Sequence, residues 1–310
     1  MLKKKKIILA TGCSFTNPNF FSTNKHVPEE KRGGWPMWPE LLQRKIEKET
    51  GESYELINLA RSGASNDWIF NTFLDTMSKH GDRIKIVLVG GSQWMRTQVI
   101  APDINSNPQV AIKLRQRNLE GKTTEGIDGK AEVLLPQNAW QKWHNESVVQ
   151  MWCKYSNEYG IKNTIYHNLR IMWTLLNICN NNNSKFIWNQ LINPFPPKDF
   201  WKELLAEAQA IPIKDLSIQD HVFNDPFFSD TILKSPYAKQ LVKHKKQFYG
   251  FPWSHGKFWT EFNFEGSPLL VLPPTMIDGK QELDAHPNEL GQKAIAKEMW
   301  EVYGNYLVKN

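Results

Sequence analysis

Short apolar runs alternate with stretches of helical spacing through the first part of the chain. Ile7-Ile8-Leu9-Ala10, entered from Lys6, is a run without polar interruption and predicts a short buried strand ending in the turn Thr11-Gly12-Cys13-Ser14. Trp38, Leu41, Leu42 and Ile46 recur at helical spacing, Pro39 suits a first helical turn, and Gly51 can stop the helix. Tyr54–Ala60 reads as a second strand. Ser65-Asn66-Asp67 then offers N-cap side chains to a helix whose inner face is Ile69, Phe70, Phe73, Leu74 and Met77. Lys85–Val89 is a third strand, and it ends at Gly90-Gly91. Continuous apolar strands alternating with amphipathic helices predict a parallel sheet covered on both faces.

The alternation breaks after the third strand. Residues 97–157 are polar and rich in Gln, Asn and Gly, and they read as an insertion. A long helix follows, with Ile161, Ile165, Leu169, Met172, Leu176 and Cys179 on one side and Asn180–Asn183 at its end. Ser184–Leu191 is the fourth strand and Phe200–Ala208 a short helix. Between Ile211 and Pro268 the periodicity fades among aromatics, Pro and Lys, which predicts a second insertion. The last predicted helix runs from Asn288 to Val308 with Leu290, Ile295, Met299, Val302 and Tyr306 as its apolar face. With no internal repeat and no long linker, residues 1–310 read as one domain carrying two insertions, 97–157 and 211–268.

Composition narrows the classes. Hydrophobic residues at 40% and charged residues at 23% are ordinary for a globular chain that buries a large core. The formal charge of +6 is spread thinly, and the basic residues form no stripe joined to aromatics, which argues against nucleic acid as a partner. Cys13, Cys153 and Cys179 are odd in number and have no C-x-x-C spacing, so they read as reduced thiols. No Cys/His cluster has zinc spacing, and no metal or cofactor is expected. Lys3–Lys6 ahead of Ile7–Ala10 imitates a signal peptide, but its apolar run stops far short of the roughly 7–15 residues such a core needs. No run approaches the roughly 20 apolar residues of a membrane span. The expected location is therefore the cytoplasm, with no membrane partner.

In an open parallel sheet, reactive groups collect at the carboxyl ends of the strands. That rule selects Gly12–Thr16, Leu59–Asn66 and Gly90–Arg96. A serine hydroxyl is a weak nucleophile that needs an adjacent base, itself oriented by a third group, and a D-x-H pair on one loop supplies both. Gly12-Cys13-Ser14-Phe15-Thr16 resembles the nucleophile block of the SGNH (GDSL-like) hydrolases. Asn58-Leu59-Ala60-Arg61-Ser62-Gly63-Ala64-Ser65-Asn66 looks like that family's glycine block, and Asp284-Ala285-His286-Pro287-Asn288, with Gly291 beyond, like its last block. The short GCSFT form is also similar to SGNH-like proteins of large tailed phages.

The resemblance implies a flavodoxin-like three-layer α/β/α fold with a central parallel sheet in the order 2-1-3-4-5. It implies Ser14 as nucleophile, His286 as base and Asp284 as the group that stabilises the imidazolium. Oxyanion donors would be the backbone N–H groups of Ser14 and Gly63 and a side chain after the third strand. At that last position the chain departs from the family's G-x-N-D with Gly90-Gly91-Ser92-Gln93. Ser92 falls at the Asn place and is expected at the mouth of the site, with Gln93 or Arg96 as alternatives.

The implied activity is ester hydrolysis through an acyl-enzyme on Ser14, with an O-acetyl group on carbohydrate as one candidate substrate. The partner is then a small-molecule or carbohydrate ester. The two insertions are expected to wall the pocket, and Trp140, Trp143, Trp152, Trp253 and Trp259 offer flat faces for a sugar or for packing. Two other readings use the same residues. One is a non-catalytic SGNH-like phage structural or host-interaction protein, favoured by the unusual third block and leaving virion or homo-oligomer association open. The other is an acyltransferase using the same serine. His26, His80, His144, His167, His221, His244 and His255 show no partner spacing and read as structural or solvated.

Overall fold

The computed structural model describes residues 5–22, 29–92, 94, 97–100, 123–125, 131–135, 147–190, 231, 234–249, 275–277, 280–282 and 286–309. In chain order the elements are β1 (Lys6–Gly12), α1 (Trp38–Thr50), β2 (Tyr54–Asn58), α2 (Asn66–His80), β3 (Ile84–Gly90), β4 (Thr97–Ile100), β5 (Thr123–Glu125) and β6 (Ala131–Leu135). They continue with α3 (Ser147–Asn181), β7 (Lys185–Asn189), α4 (Pro236–Leu241), β8 (Phe248–Tyr249), β9 (Thr275–Ile277), β10 (Lys280–Glu282) and α5 (Glu289–Val308).

Five strands form a parallel sheet in the order β2-β1-β3-β7-β8, which is 2-1-3-4-5 in the order the strands occur. The fold class expected from the resemblance is therefore present. Alternation along each strand sends side chains to two cores. Ile7, Leu9, Val87, Val89, Phe186 and Trp188 meet Ile69 and Phe73 of α2 and Leu169, Met172 and Leu176 of α3 on one face. Ile8, Ala10, Ile86, Leu88 and Ile187 meet Trp38, Leu42 and Ile46 of α1 and Ile295, Met299 and Leu307 of α5 on the other. The result is three layers, and every strand points its carboxyl end at the same edge. In register along that edge stand Gly12, Gly90 and Asn189.

Local chemistry sets the helix ends. Ser65 caps α2, its hydroxyl accepting from the Trp68 N–H at 3.2 Å. Gly51 ends α1 in the left-handed region at φ 68°, donating its N–H to the Glu47 carbonyl. Asn288 caps α5 by accepting from the Gly291 N–H.

Several expectations are corrected. The fifth strand of the sheet, β8, lies inside 211–268, and α4 ahead of it buries Ala238 and Leu241 against the α3 side of the core. A strand of two residues has no periodicity to read. Residues 97–157 hold β4, β5 and β6, which pair as an antiparallel sheet in the order β4-β6-β5, and they hold the first turns of α3 as well. Leu290, Val302 and Tyr306 of α5 are exposed; the buried stripe is Gly291, Gln292, Ile295, Ala296, Met299, Tyr303, Gly304 and Leu307. The stripe opens on a glycine and a polar glutamine, neither of which marks an apolar face in the sequence. The expected helix Phe200–Ala208 lies outside the described residues.

Candidate active site

At the end of β1 the chain turns within four residues, the Thr16 N–H donating to the Cys13 carbonyl at 3.0 Å with Ser14 and Phe15 between them. Glycine is required just before the turn, because a Cβ on Gly12 would lie 2.8 Å from the Gly90 carbonyl oxygen and 2.8 Å from Thr16 Oγ1. Three neighbouring elements then hold the turn. Trp38 Nε1 donates to Thr16 Oγ1 at 3.1 Å, Asn58 Nδ2 to the Thr16 carbonyl at 2.9 Å, and Gln292 Nε2 to the Phe15 carbonyl at 3.2 Å. Gln292 Oε1 in turn accepts from the Trp38 N–H at 2.9 Å, so one buried amide ties α1, α5 and the turn together.

Ser14 is buried to 5% exposure, and its Oγ lies 2.8 Å from His286 Nε2. In the tautomer with Nε2 unprotonated the imidazole accepts the serine proton, which is the arrangement of nucleophile and general base. His286 packs at a tilt against two aromatic rings, Phe20 at 4.6 Å and 32° and Phe15 at 5.1 Å and 47° between ring centroids and planes. The structure therefore brings together two of the three residues expected to form the catalytic set. Asp284 lies outside the described residues.

The glycine turn sits alongside, joined to the nucleophile turn by Asn17 Nδ2 donating to Ser62 Oγ at 3.0 Å. The Ala64 N–H donates to the Arg61 carbonyl at 3.1 Å, and Gly63 has φ 81°. A positive φ at the third position is the signature of a type II turn, in which the N–H of that residue is not used by the turn itself. Among the described residues neither the Gly63 N–H nor the Ser14 N–H is taken up by a hydrogen bond. Toward the described residues both are thus open as donors.

Ser92 is placed differently from expectation. Its side chain is fully buried rather than at the mouth, and its hydroxyl donates to the Ala64 carbonyl at 2.5 Å. A hydroxyl has one proton, and this one is committed. Gln93 and Arg96, the alternatives, lie outside the described residues.

Around Ser92 is a network that no sequence spacing announced. The Ser92 N–H donates to Asn66 Oδ1 at 2.9 Å, Asn66 Nδ2 donates to Asn168 Oδ1 at 2.7 Å, and Gln190 Nε2 donates to the Ser92 carbonyl at 3.0 Å. Asn58 and Asn66 stand inside the glycine block, and that was the one available signal. Elsewhere, His167 Nε2 pairs with Asp67 Oδ1 at 2.6 Å, a contact across 100 residues that spacing could not show. Cys13 and Cys179 are buried and not disulfide-bonded, and burial pushes the Cys179 thiol well up. Among the described residues no helix is long and apolar enough to cross a membrane.

No protein-family model matches the chain. No curated protein matches it either. Among solved structures it is similar to a lipase from a goat rumen metagenome, with 12% identity, TM-score 0.39, and 96% of this chain and 97% of that one covered. It is likewise similar to TesA, with 10% identity, TM-score 0.38, and 96% and 98% covered. A GDSL-like lipase from Parabacteroides merdae gives 13% identity, TM-score 0.39, and 98% of both chains covered. Superpositions this loose carry no argument about activity, and the functional reading rests on the site itself.

Proposed function

We propose that the chain is a serine ester hydrolase in which Ser14 is the nucleophile and His286 the general base. The observation that carries this reading is the 2.8 Å contact between Ser14 Oγ and His286 Nε2 at the carboxyl edge of the sheet. In the proposed reaction Ser14 Oγ bonds to the ester carbonyl carbon while its proton passes to Nε2. The carbonyl electrons move to the oxygen, which the Ser14 and Gly63 N–H groups receive. When the tetrahedral centre collapses, the bond to the alcohol breaks and Nε2 returns the proton to the leaving oxygen. Water then cleaves the acyl-enzyme by the same route. Asp284, two residues before His286, is assigned to accept from the imidazole's Nδ1–H, where a carboxylate favours the imidazolium. The substrate is assigned to the class of small or carbohydrate-borne esters, with O-acetyl groups first among them.

A fluorophosphonate probe and a short aryl ester test this. The wild type is expected to be labelled at one residue and to turn the ester over. Ser14→Ala should abolish both, and His286→Ala should lower kcat by about 10⁴-fold or more. A wild type that shows neither turnover nor labelling between about pH 6 and pH 9, the span in which serine–histidine sites ordinarily work, would favour the non-catalytic scaffold reading instead. Transfer to an acceptor other than water would show as turnover that rises with added alcohol.

A further inference from the structure

The Ser92 hydroxyl is spent on the Ala64 carbonyl, and Ser92 is held at its N–H and its carbonyl as well. Its hydroxyl donates to the Ala64 carbonyl, its N–H donates to Asn66 Oδ1, and its carbonyl accepts from Gln190 Nε2 and, at 3.4 Å, from Asn66 Nδ2. Asn66, Ser92 and Gln190 are at most 2% exposed, so these bonds are made away from water. Ala64 is the fourth residue of the glycine turn, and it is pinned at both ends: its N–H on the Arg61 carbonyl, its carbonyl on Ser92.

We infer that Ser92 and Asn66 form a clamp that aims the Gly63 N–H at the oxyanion, making Ser92 a positioning residue rather than a donor. The inference rests on the hydrolase reading above. Types I and II of a four-residue turn differ by a flip of the central peptide, which here carries the Ser62 carbonyl and the Gly63 N–H. Glycine occupies the third position of either type without strain, so Gly63 by itself does not choose between them. The surroundings must choose. Asn17 holds Ser62 by its hydroxyl, and the Ser92 bond fixes the exit of the turn at Ala64. Without the Ser92 bond, the exit is held less firmly, and the peptide can rotate and carry the donor away from the developing charge. The serine that replaces the family's asparagine thus changes the design of the site. At this position a strut stands in place of a side-chain donor, and among the described residues the oxyanion is left to the backbone N–H groups of Ser14 and Gly63.

The test uses Ser92→Ala, Asn66→Ala and the double variant on a short aryl ester, with sites counted by fluorophosphonate titration so that unfolded protein does not enter kcat. Either single variant is expected to lower kcat about tenfold at unchanged KM, the size of one lost neutral hydrogen bond acting in the transition state. The double variant should fall no further than the worse single one, because both act through one turn. A loss of about 10²–10³ in Ser92→Ala with Asn66→Ala unaffected would make Ser92 a direct donor and overturn the clamp. Unchanged kcat with a lower Tm would overturn it also, leaving a purely structural role. Should Ser92→Ala not fold, Ser92→Cys, isosteric and a weak donor, is expected to fall between wild type and Asn66→Ala; full activity there counts against the inference. A wild type that is neither labelled nor active overturns the hydrolase reading and this one with it, a result distinct from the others.

Discussion

Gly63 combines a backbone conformation that only glycine adopts freely with a placement one residue from the pinned Ala64 carbonyl. A side chain there is strained by about 1–2 kcal/mol at a positive φ of 81°. Gly63→Ala is therefore expected to lower stability by that amount and kcat by more than Tm alone accounts for, measured by thermal unfolding beside titrated kinetics. At this scale the sequence was informative where a distinctive residue type stands in a fixed pattern: it singled out Ser14 and His286, which lie 2.8 Å apart. It was silent where an amide is buried. Asn17, Asn58, Asn66, Asn168 and Gln292 look like surface residues in a sequence, because nothing in an Asn or Gln says that its two ends will both find partners. Ser92 was expected at the mouth of the site, and its buried hydroxyl instead donates to the Ala64 carbonyl. Which way a hydroxyl points is decided by neighbours distant in the chain, here Ala64, 28 residues away.

Among the elements, α5 does the most for the site, since it follows His286 directly and carries Gln292. Replacing Gln292 by Leu keeps the volume but strips the Trp38 N–H of its acceptor and frees the Phe15 carbonyl. The expected loss is about 1–3 kcal/mol, the cost of leaving a buried group unmade, read as a lower Tm. Further along the helix, Glu298 accepts from the Tyr249 hydroxyl on β8, and burial, reinforced by the Glu301 charge, raises its carboxyl above the ordinary value of 4.5. The folded chain thus keeps this proton to higher pH than the unfolded chain does. The contribution is fully present below the ordinary carboxylate range and is lost as pH rises through the raised value. Glu298→Gln should accordingly gain Tm over wild type near neutral pH, and the gain should shrink toward pH 4 or so. Long elements with clear stripes, α1 and α2, were legible to within a residue or two. The α5 stripe was displaced by its buried glutamine, and β8 was missed because two residues show no period.

For the whole molecule, the strand order was implied by the resemblance in three short blocks, and the five-stranded sheet has that order. The loss of periodicity set the expected bounds 97–157 and 211–268, and the first turns of α3, with α4 and β8, lie inside them. The chain leaves the sheet's carboxyl edge after Gly90 and comes back to it at His286, so the segments between are proposed to select the substrate. Trp140→Ala with Trp143→Ala is expected to lower kcat/KM for an acetylated sugar by about tenfold while sparing a short aryl acetate, in line with the worth of an aromatic stacking face. Equal losses on both substrates would remove those tryptophans from specificity.

The contact between Ser14 and His286 spans 272 positions of sequence. Such a pairing has a high loop-closure demand, matched among the described contacts by Gln292 with Phe15, and contacts of that kind form late. The sheet around β1 can be complete while Ser14, the proposed nucleophile, still lacks His286. On the proposed mechanism, recovered activity should trail recovered strand signal during refolding from denaturant, and during synthesis Ser14 emerges long before His286. A nascent chain would in that sense be chemically silent, and ester turnover would report that α5 has docked.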